Sequence, residues 1–478
     1  MTNLKHIVFV LIIPSILSCK VGVKYTRPEN RMPDEFRGQI SKKDSANAAD
    51  VSWRQFFNDP LLIALIDTAL TSNLELAINQ KQVGILHEEL LQRKANYFPS
   101  LAMGPQVYGE NFSVNRYSGP NSKYYENGAA PPDFMFVGRR QYLFSLRSSW
   151  EIDIWGRLKR LEEGSLARLA SAEESVKALK TFLVSEVAIS YYSLLMLDEQ
   201  LKVAQTNLKL NDSTINVVEL QYRSGQATSL AVQQTENQKL LAASLIPRIE
   251  GEIMREENYL RELLGQYPAS ISRSSAIGEI DFNTNLLAGT PIELLRNRPD
   301  IVRAEYNVMT ALANTNAARA ARYPTLALVA ESGLDSQLFG LLFNPAGSLF
   351  ATFSSSLLQP VFQNRRLKTA QKVAEIDNDI ALDQYQLTIL TAVREISDEI
   401  ITIQKLEEEY GIARERIRVS NSAVNNASML FKSGLANYLE VLNAQSNALS
   451  NELNLVNIRM SLFEANISLY RKLGGGWN

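Results

Sequence analysis

The chain has 478 residues, enough to bury one or more large cores, and its 49 Lys and Arg nearly balance its 51 Asp and Glu. A formal net charge of -2 gives no electrostatic reason to expect nucleic acid as a partner. With only His6, His87 and Cys19 as imidazole and thiol groups, a His-based catalytic triad or a zinc site of Cys and His ligands is poorly supported.

The chain opens with a polar head, Lys5-His6, and an apolar run from Ile7 to Leu17 that ends in Ile16-Leu-Ser-Cys19. That run is too short to span a bilayer comfortably and suits the core of a signal peptide over residues 1–18. The ordinary alternative is a secretory signal with an incidental cysteine. Residues 19–50 contain Pro28, Pro33, several charges and few aliphatics, and read as an extended leader lying over a surface. From Pro60 the apolar positions Leu61, Leu62, Leu65, Ile66 and Ala69 share one helical face, with Asn58 or Asp59 as the cap. A second helix is expected from about Asn73 to Ala95, stopping before Tyr97-Phe-Pro-Ser-Leu101 because the residue before proline avoids helical geometry.

The segment 141–154 then alternates with period two. Tyr142, Phe144, Leu146, Ser148, Trp150, Ile152 and Ile154 fall on one face, and Gln141, Leu143, Ser145, Arg147, Ser149, Glu151 and Asp153 on the other. Alternation with aromatics near both ends is the pattern of a transmembrane barrel strand, though a half-buried strand of a soluble sandwich would look similar. Its expected partner, about 101–113, is weakened by Gly104 and Pro105, and a long turn-rich loop joins the two. A second hairpin is expected at about 325–362. There Leu326 to Glu331 alternates loosely, and Leu349, Ala351, Phe353, Ser355 and Leu357 oppose Thr352, Ser354 and Ser356.

Each hairpin is followed by two helices of unusual length. From Leu158 to about Tyr222 no proline occurs, and Val176, Leu179, Leu183, Val187, Leu194 and Leu201 keep a near-heptad rhythm. Such a helix would be a rod of roughly 100 Å. A return helix runs from about Ser229 to Leu264, with a kink expected at Pro247, and the pattern recurs over about Arg366 to Lys432 and Tyr438 to Leu473. Richness in Ala, Ser, Asn and Gln suits a coiled-coil wall with a wet side rather than a solid core. Charged stretches such as Lys405 to Arg418 read as solvated faces. The linker 265–298, residues 50–72 and the tail would form a girdle around the middle of the rods.

These elements make a duplication. Gly225 in Gln221-Tyr-Arg-Ser-Gly-Gln-Ala-Thr-Ser-Leu230 falls on Gly434 in Leu430-Phe-Lys-Ser-Gly-Leu-Ala-Asn-Tyr-Leu439, an offset of 209 that also relates Leu158 to Leu367 and Leu264 to Leu473. Upstream, Phe98-Pro-Ser-Leu101 falls on Tyr323-Pro-Thr-Leu326 at an offset of 225, so the first copy carries extra chain in the 111–140 region. The copies are taken as 51–265 and 266–473, with 474–478 as a tail. Each offers one hairpin, and four strands cannot close a barrel that spans a membrane. If these strands lie in lipid, the protein must oligomerise.

Taken in order, the Ile-Leu-Ser-Cys19 ending, Lys24-Tyr-Thr-Arg-Pro28, the two Pro-Ser/Thr-Leu motifs, Trp150-Glu-Ile-Asp-Ile-Trp-Gly-Arg157, Leu295-Arg-Asn-Arg-Pro-Asp-Ile-Val-Arg-Ala304, Leu358-Gln-Pro-Val-Phe362 and the two Ser-Gly tips resemble the outer-membrane efflux protein family. The likeness is to TolC-type and especially OprM-type lipoprotein channels, over essentially the whole chain. It implies a mainly α fold with a membrane β-hairpin pair, in a homotrimer whose twelve-stranded β-barrel continues into a periplasmic α-helical barrel. It also implies cleavage before Cys19, with lipid on that residue as the only non-protein group, and Lys20 resembles outer-membrane sorting. The partners implied are a periplasmic adaptor, an inner-membrane pump and outer-membrane lipid.

In such relatives the periplasmic tips are both the gate and the adaptor contact. Carried onto this sequence, these are Tyr222, Arg223, Ser224, Gly225 and Phe431, Lys432, Ser433, Gly434, with a constriction at Leu439, Glu440 and Asn443. The family's last acid is Asn443 here, which weakens any aspartate ring, while a ring of Glu440 would still attract cations. The function expected is a gated passive exit duct for small molecules, not an enzyme. The alternatives are an outlet for type I protein secretion and a lipid-anchored scaffold without a pore. No Walker-type phosphate loop is present, and the nine methionines are scattered without the clusters soft-metal ligation would favour.

Overall fold

The computed structural model describes residues 21–29, 32–38, 51–113, 136–274 and 290–477. The expected signal peptide, Cys19, the end of the leader, the loop at 114–135 and residues 275–289 of the linker lie outside the described residues. The chain divides into two compact units, each taking segments from both copies: one holds residues 85–169 and 308–381 with the leader up to Arg27, the other residues 28–84, 170–307 and 382–478.

The main elements, in order, are α1 (Pro60–Ser72), α2 (Leu74–Ala95), β1 (Ser100–Ser113), β2 (Phe136–Ile152), α3 (Arg157–Arg223), α4 (Ser229–Leu263), α5 (Pro299–Ala320), β3 (Thr325–Ser336), β4 (Leu349–Leu358), α6 (Arg366–Lys432) and α7 (Tyr438–Lys472). The duplication holds at the level of whole elements: α2 and α5 each have 22 residues, α3 and α6 each 67, and α4 and α7 each 35. α4 runs unbroken through Pro247.

In the first unit the strands form one antiparallel sheet in the order β1-β2-β3-β4. Opposed pairs such as Met103 with Leu146, Phe144 with Leu334, and Leu334 with Leu349 gather most of the large apolar residues of the four strands on one face. Leu101, Met103, Val107, Phe144, Leu146, Trp150, Leu349, Phe353 and Leu357 on that face are all exposed, which a water-soluble sandwich would not leave uncovered. The other face carries the charged and hydrogen-bonding pairs, alongside Leu143 and Val329: Gln141 donates to Asp335 at 2.9 Å and Ser145 to Glu331 at 2.6 Å. Aromatic rings rim the apolar band at both ends. At one, Trp150 donates to the Tyr97 carbonyl at 2.8 Å and Trp155 stacks on Tyr323 at 4.9 Å; at the other, Tyr142 meets Phe339 at 5.4 Å. Eight residues separate Tyr142 from Trp150, about 26 Å along the strand, close to the height of a membrane barrel's apolar band.

The hairpins turn into the long helices at matched positions. Gly156 adopts φ 79°, and its counterpart at offset 209 is Arg365, which holds φ 65° without being glycine. Asp153 caps α3 by accepting from the backbone N–H groups of Leu158 and Lys159 at 3.0 and 2.9 Å.

The second unit holds the main core. Trp53, Phe57, Leu62, Ile66 and Ala69 pack against Leu183, Val187, Tyr191 and Leu194 of α3, Ile249 and Leu260 of α4, and Phe463, Ile467 and Tyr470 of α7. The first-copy girdle residues thus fill the space between rods whose own stripes are too narrow to close a core. Asp59 caps α1 by accepting from the Leu61 N–H and also accepts the buried Tyr191 hydroxyl at 2.6 Å. The most apolar window of α3 is long enough to cross a bilayer, but 67% of it is buried inside the protein, as expected of a core helix. Each return helix is followed by a glycine with positive φ that packs tightly on a backbone carbonyl. A Cβ on Gly265 would sit 2.3 Å from the Ser72 carbonyl oxygen, and one on Gly474 would sit 2.4 Å from that of Asn297. Ser72 and Asn297 are themselves counterparts at offset 225, so the duplication reproduces the contact as well as the helices.

The Leu295–Ala304 motif supplies a buried charge cluster in this unit. Arg298 forks onto Asp300 at 2.9 and 2.6 Å, reaches Glu395 of α6 at 3.3 Å, and donates to the Lys472 carbonyl at the end of α7 at 3.0 Å. Burial alone would raise the Asp300 carboxyl, but the Arg298 guanidinium outweighs it and holds the group below its ordinary value of 3.8. Lys472 in turn pairs with Glu399.

Candidate functional site: the two helical tips

Both expected tips are tight helix-to-helix turns built the same way. The Gly225 N–H bonds the Tyr222 carbonyl at 3.0 Å and the Gln226 N–H the Gln221 carbonyl at 2.7 Å; Gly434 and Leu435 repeat this on Phe431 and Leu430 at 3.1 and 2.9 Å. This closure needs a left-handed residue, and Gly225 and Gly434 take φ 75° and 71°. The return helices are then capped at matched positions. Thr228 accepts from the Ala231 N–H at 3.2 Å, and Asn437 accepts from the Glu440 N–H at 3.2 Å.

Tyr222, Arg223, Ser224, Gly225, Lys432, Ser433 and Gly434 are all exposed, as a docking surface requires. Phe431 departs from that expectation. It is 8% exposed and packs in a small core with Val218 of α3, Ala231 of α4 and Val441 of α7, so it joins the two hairpins of one chain. Its counterpart Tyr222 is 49% exposed. The same sequence position therefore does opposite things in the two copies, because only one hairpin has a neighbour on its Phe431 side within a single chain. Leu439, Glu440 and Asn443 lie on the first turns of α7 and are exposed; Leu439 and Asn443, four residues apart, share a face. Glu440 stands in the first turn, where a carboxylate also suits the helix dipole.

Several contacts between the hairpins were not signalled by the sequence. Tyr438 donates to Gln234 at 2.6 Å, buried Gln445 donates to Thr214 at 2.9 Å, and Gln200 donates to Asn457 at 2.8 Å. Single polar residues in long helices look alike until the partner helix is known. The contacts carry no catalytic arrangement, and among the described residues no cluster of three or more His, Cys, Asp or Glu is placed to hold a metal ion.

Comparison with known proteins places this geometry. The outer membrane efflux protein family model matches residues 65–266 and 290–475. The chain is 28% identical over 467 residues to the cation efflux system protein CusC of Escherichia coli O6:H1, covering 97% of each chain. It is 28% identical over 435 residues to the probable efflux pump outer membrane protein TtgC of Pseudomonas putida, covering 90% of this chain and 86% of that one. Its fold superposes on the solved outer-membrane channel OprN with a TM-score of 0.85 at 23% identity, over 96% of this chain and 100% of that one. A sheet with a lipid-compatible face and paired long helical hairpins agree with the match: the chain is a non-enzymatic outer-membrane channel protein and belongs to the outer membrane efflux protein family.

Proposed function

We propose that three copies of this chain close a twelve-stranded barrel in the outer membrane, and that the oligomer is the exit duct of a tripartite efflux system for small molecules. The observation that carries this reading is the sheet. Its apolar face is uncovered, and among the described residues both outer strands, β1 and β4, have an unpaired edge. In lipid each unpaired backbone group costs several kcal/mol, so the β1 edge of one copy would pair with the β4 edge of the next. The polar face would then line the lumen.

The long helices would line a duct through the periplasm, and the first turns of α7 would narrow it, Leu439, Glu440 and Asn443 of each copy together forming a ring. The exposed residues Tyr222, Arg223, Lys432 and Ser433 would meet a periplasmic adaptor, and an inner-membrane pump would supply the energy. Opening would be a change in how the tips pack, biased by an adaptor that binds the open state better. Lipid on Cys19 would anchor the leader in the outer membrane. In the duct itself no residue is asked to do chemistry, so the cargo is set upstream.

The reading is tested by the mass of the detergent-purified protein and the permeability of liposomes that contain it. Three copies per particle and liposomes that swell in small sugars are expected. A monomeric particle, or a correctly assembled one that leaves liposomes sealed, contradicts it and favours a scaffold.

A further inference from the structure

Residues 337–348 join β3 to β4 at the end of the sheet remote from the long helices. No Lys, Arg, Asp, Glu or His occurs anywhere between Asp335 and Arg365. A loop over an aqueous surface is ordinarily polar, yet Leu338, Phe339, Leu341 and Phe343 are each more than half exposed here. Four large apolar side chains in one short loop make a contiguous patch of the kind that marks an interaction surface.

The loop is built, not loose. The Ser336 hydroxyl donates to the Leu338 carbonyl at 2.9 Å and accepts from the Leu338 N–H at 3.1 Å. Across the base, the Ser348 hydroxyl donates to the Leu341 carbonyl at 2.8 Å. The N–H groups of Leu341, Leu342, Asn344 and Ser348 donate in turn to the carbonyls of Leu338, Phe339, Leu341 and Asn344 at 3.0 to 3.1 Å. Leu342 and Ser348 are buried, so the loop has a small interior while its larger apolar groups point away from it.

Two observations identify what covers the patch. Backbone that approaches lipid must satisfy its polar groups internally, which this loop largely does, and a charged protein partner would find nothing in it to pair with. The patch also continues the lipid-facing stripe of the sheet. Ser336 is opposed by Tyr142, the Tyr142 ring meets that of Phe339 at 5.4 Å, and Phe339 meets Phe343 at 6.3 Å. Three rings thus run outward from the girdle without a charge between them.

We propose that this loop is a membrane-interface wedge: Leu338, Phe339, Leu341 and Phe343 sit at the boundary of headgroups and acyl chains in the outer leaflet, and three copies set a collar of such wedges around the barrel. The proposal rests on the reading of the sheet as part of a closed barrel with the long helices in the periplasm. Outward movement of the barrel would carry these side chains into water, so the collar fixes its depth in the membrane.

The test places a nitroxide on single cysteines in the full-length oligomer, its mass measured first, in liposomes of phosphatidylethanolamine and phosphatidylglycerol. Leu341→Cys and Phe343→Cys report on the loop, Phe353→Cys on the apolar face of β4, and Glu408→Cys on a solvated helix face. All four replace exposed side chains, and wild type, whose one cysteine is Cys19, is treated in parallel as the blank. Collisions with oxygen, which concentrates in lipid, are compared with collisions with a water-soluble nickel chelate. The ratio at both loop sites should exceed that at Glu408 and approach that at Phe353. A lipid-like ratio at Phe353 with a Glu408-like ratio at both loop sites overturns the wedge and leaves the loop in water. Loop labels reached by neither reagent overturn it equally, since another copy would then cover the patch. A Glu408-like ratio at Phe353 itself contradicts the barrel reading, and that failure is recognised without reference to the loop.

Discussion

Arg298→Met removes the charge at the centre of the buried cluster while keeping a long side chain in its place. The guanidinium loses a fork onto Asp300, a bond to Glu395 and one to the Lys472 carbonyl, and its side chain is only 10% exposed. Breaking a buried pair from one side costs about 3–5 kcal/mol, because the partner charge is left without compensation. Asp300 and Glu395 each keep 31% exposure, so water relieves part of that cost and the expected loss is near the lower end, about 3 kcal/mol.

The pH dependence carries the sign. In the wild type Asp300 is held below its ordinary 3.8, so its share of the stability is present above that value and is lost as pH falls through the lower folded value. In the variant the same carboxyl is buried without its partner and resists ionisation, so acid relieves rather than adds to the damage. Urea unfolding followed by helical circular dichroism should therefore show the largest gap between the two proteins at pH 7 and a smaller one at pH 3. A variant as stable as wild type at pH 7, or a gap that stays constant with pH, would refute the assignment of Arg298 as the charge that organises this junction.

The glycines separate turn chemistry from close approach. Gly474→Ala, which forces a Cβ into the Asn297 carbonyl, should destabilise the protein more than Gly434→Ala, which pays only the left-handed backbone penalty of about 1–2 kcal/mol with open space around it. Equal melting shifts would contradict the contact. Arg365→Gly should stabilise by about 1 kcal/mol, since arginine holds a left-handed conformation there that glycine adopts freely, and a loss on thermal or urea unfolding would count against it. Glu440→Ala should weaken the cation preference of the open channel measured as a reversal potential across a salt gradient, and an unchanged preference would remove Glu440 from the pore lining.

Much of this architecture was legible because it is periodic and occurs twice. The helix ends at Arg223, Ser229, Lys432 and Tyr438 fall where the Ser-Gly tips put them, and the strand alternation from Tyr142 to Trp150 is realised residue by residue. Where pattern and structure differ, pairing decided. β3 continues to Ser336, beyond the alternating stretch, because β2 pairs with it as far as that residue and Leu334 is opposed by both Phe144 and Leu349. β1 keeps Pro105 within the strand, opposite Phe144 of β2, because the pairing on either side of it carries the strand through. The burial of Phe431 was hidden for a different reason. Its identity matches Tyr222, and only the arrangement of hairpins in space tells a filled socket from an empty one. The Arg298 cluster was visible as a motif but not as a junction, since Glu395 and Lys472 are remote in sequence.

The central claim is a duct that is shut at the first turns of α7. It is tested most directly by single-channel recording of the purified oligomer in a planar bilayer, wild type against Leu439→Ala with Asn443→Ala. Rare, small openings in the wild type and larger, frequent ones in the variant are expected, because both substitutions trim the side chains that narrow the ring. No conductance from either correctly assembled protein, or identical traces from both, would contradict the account.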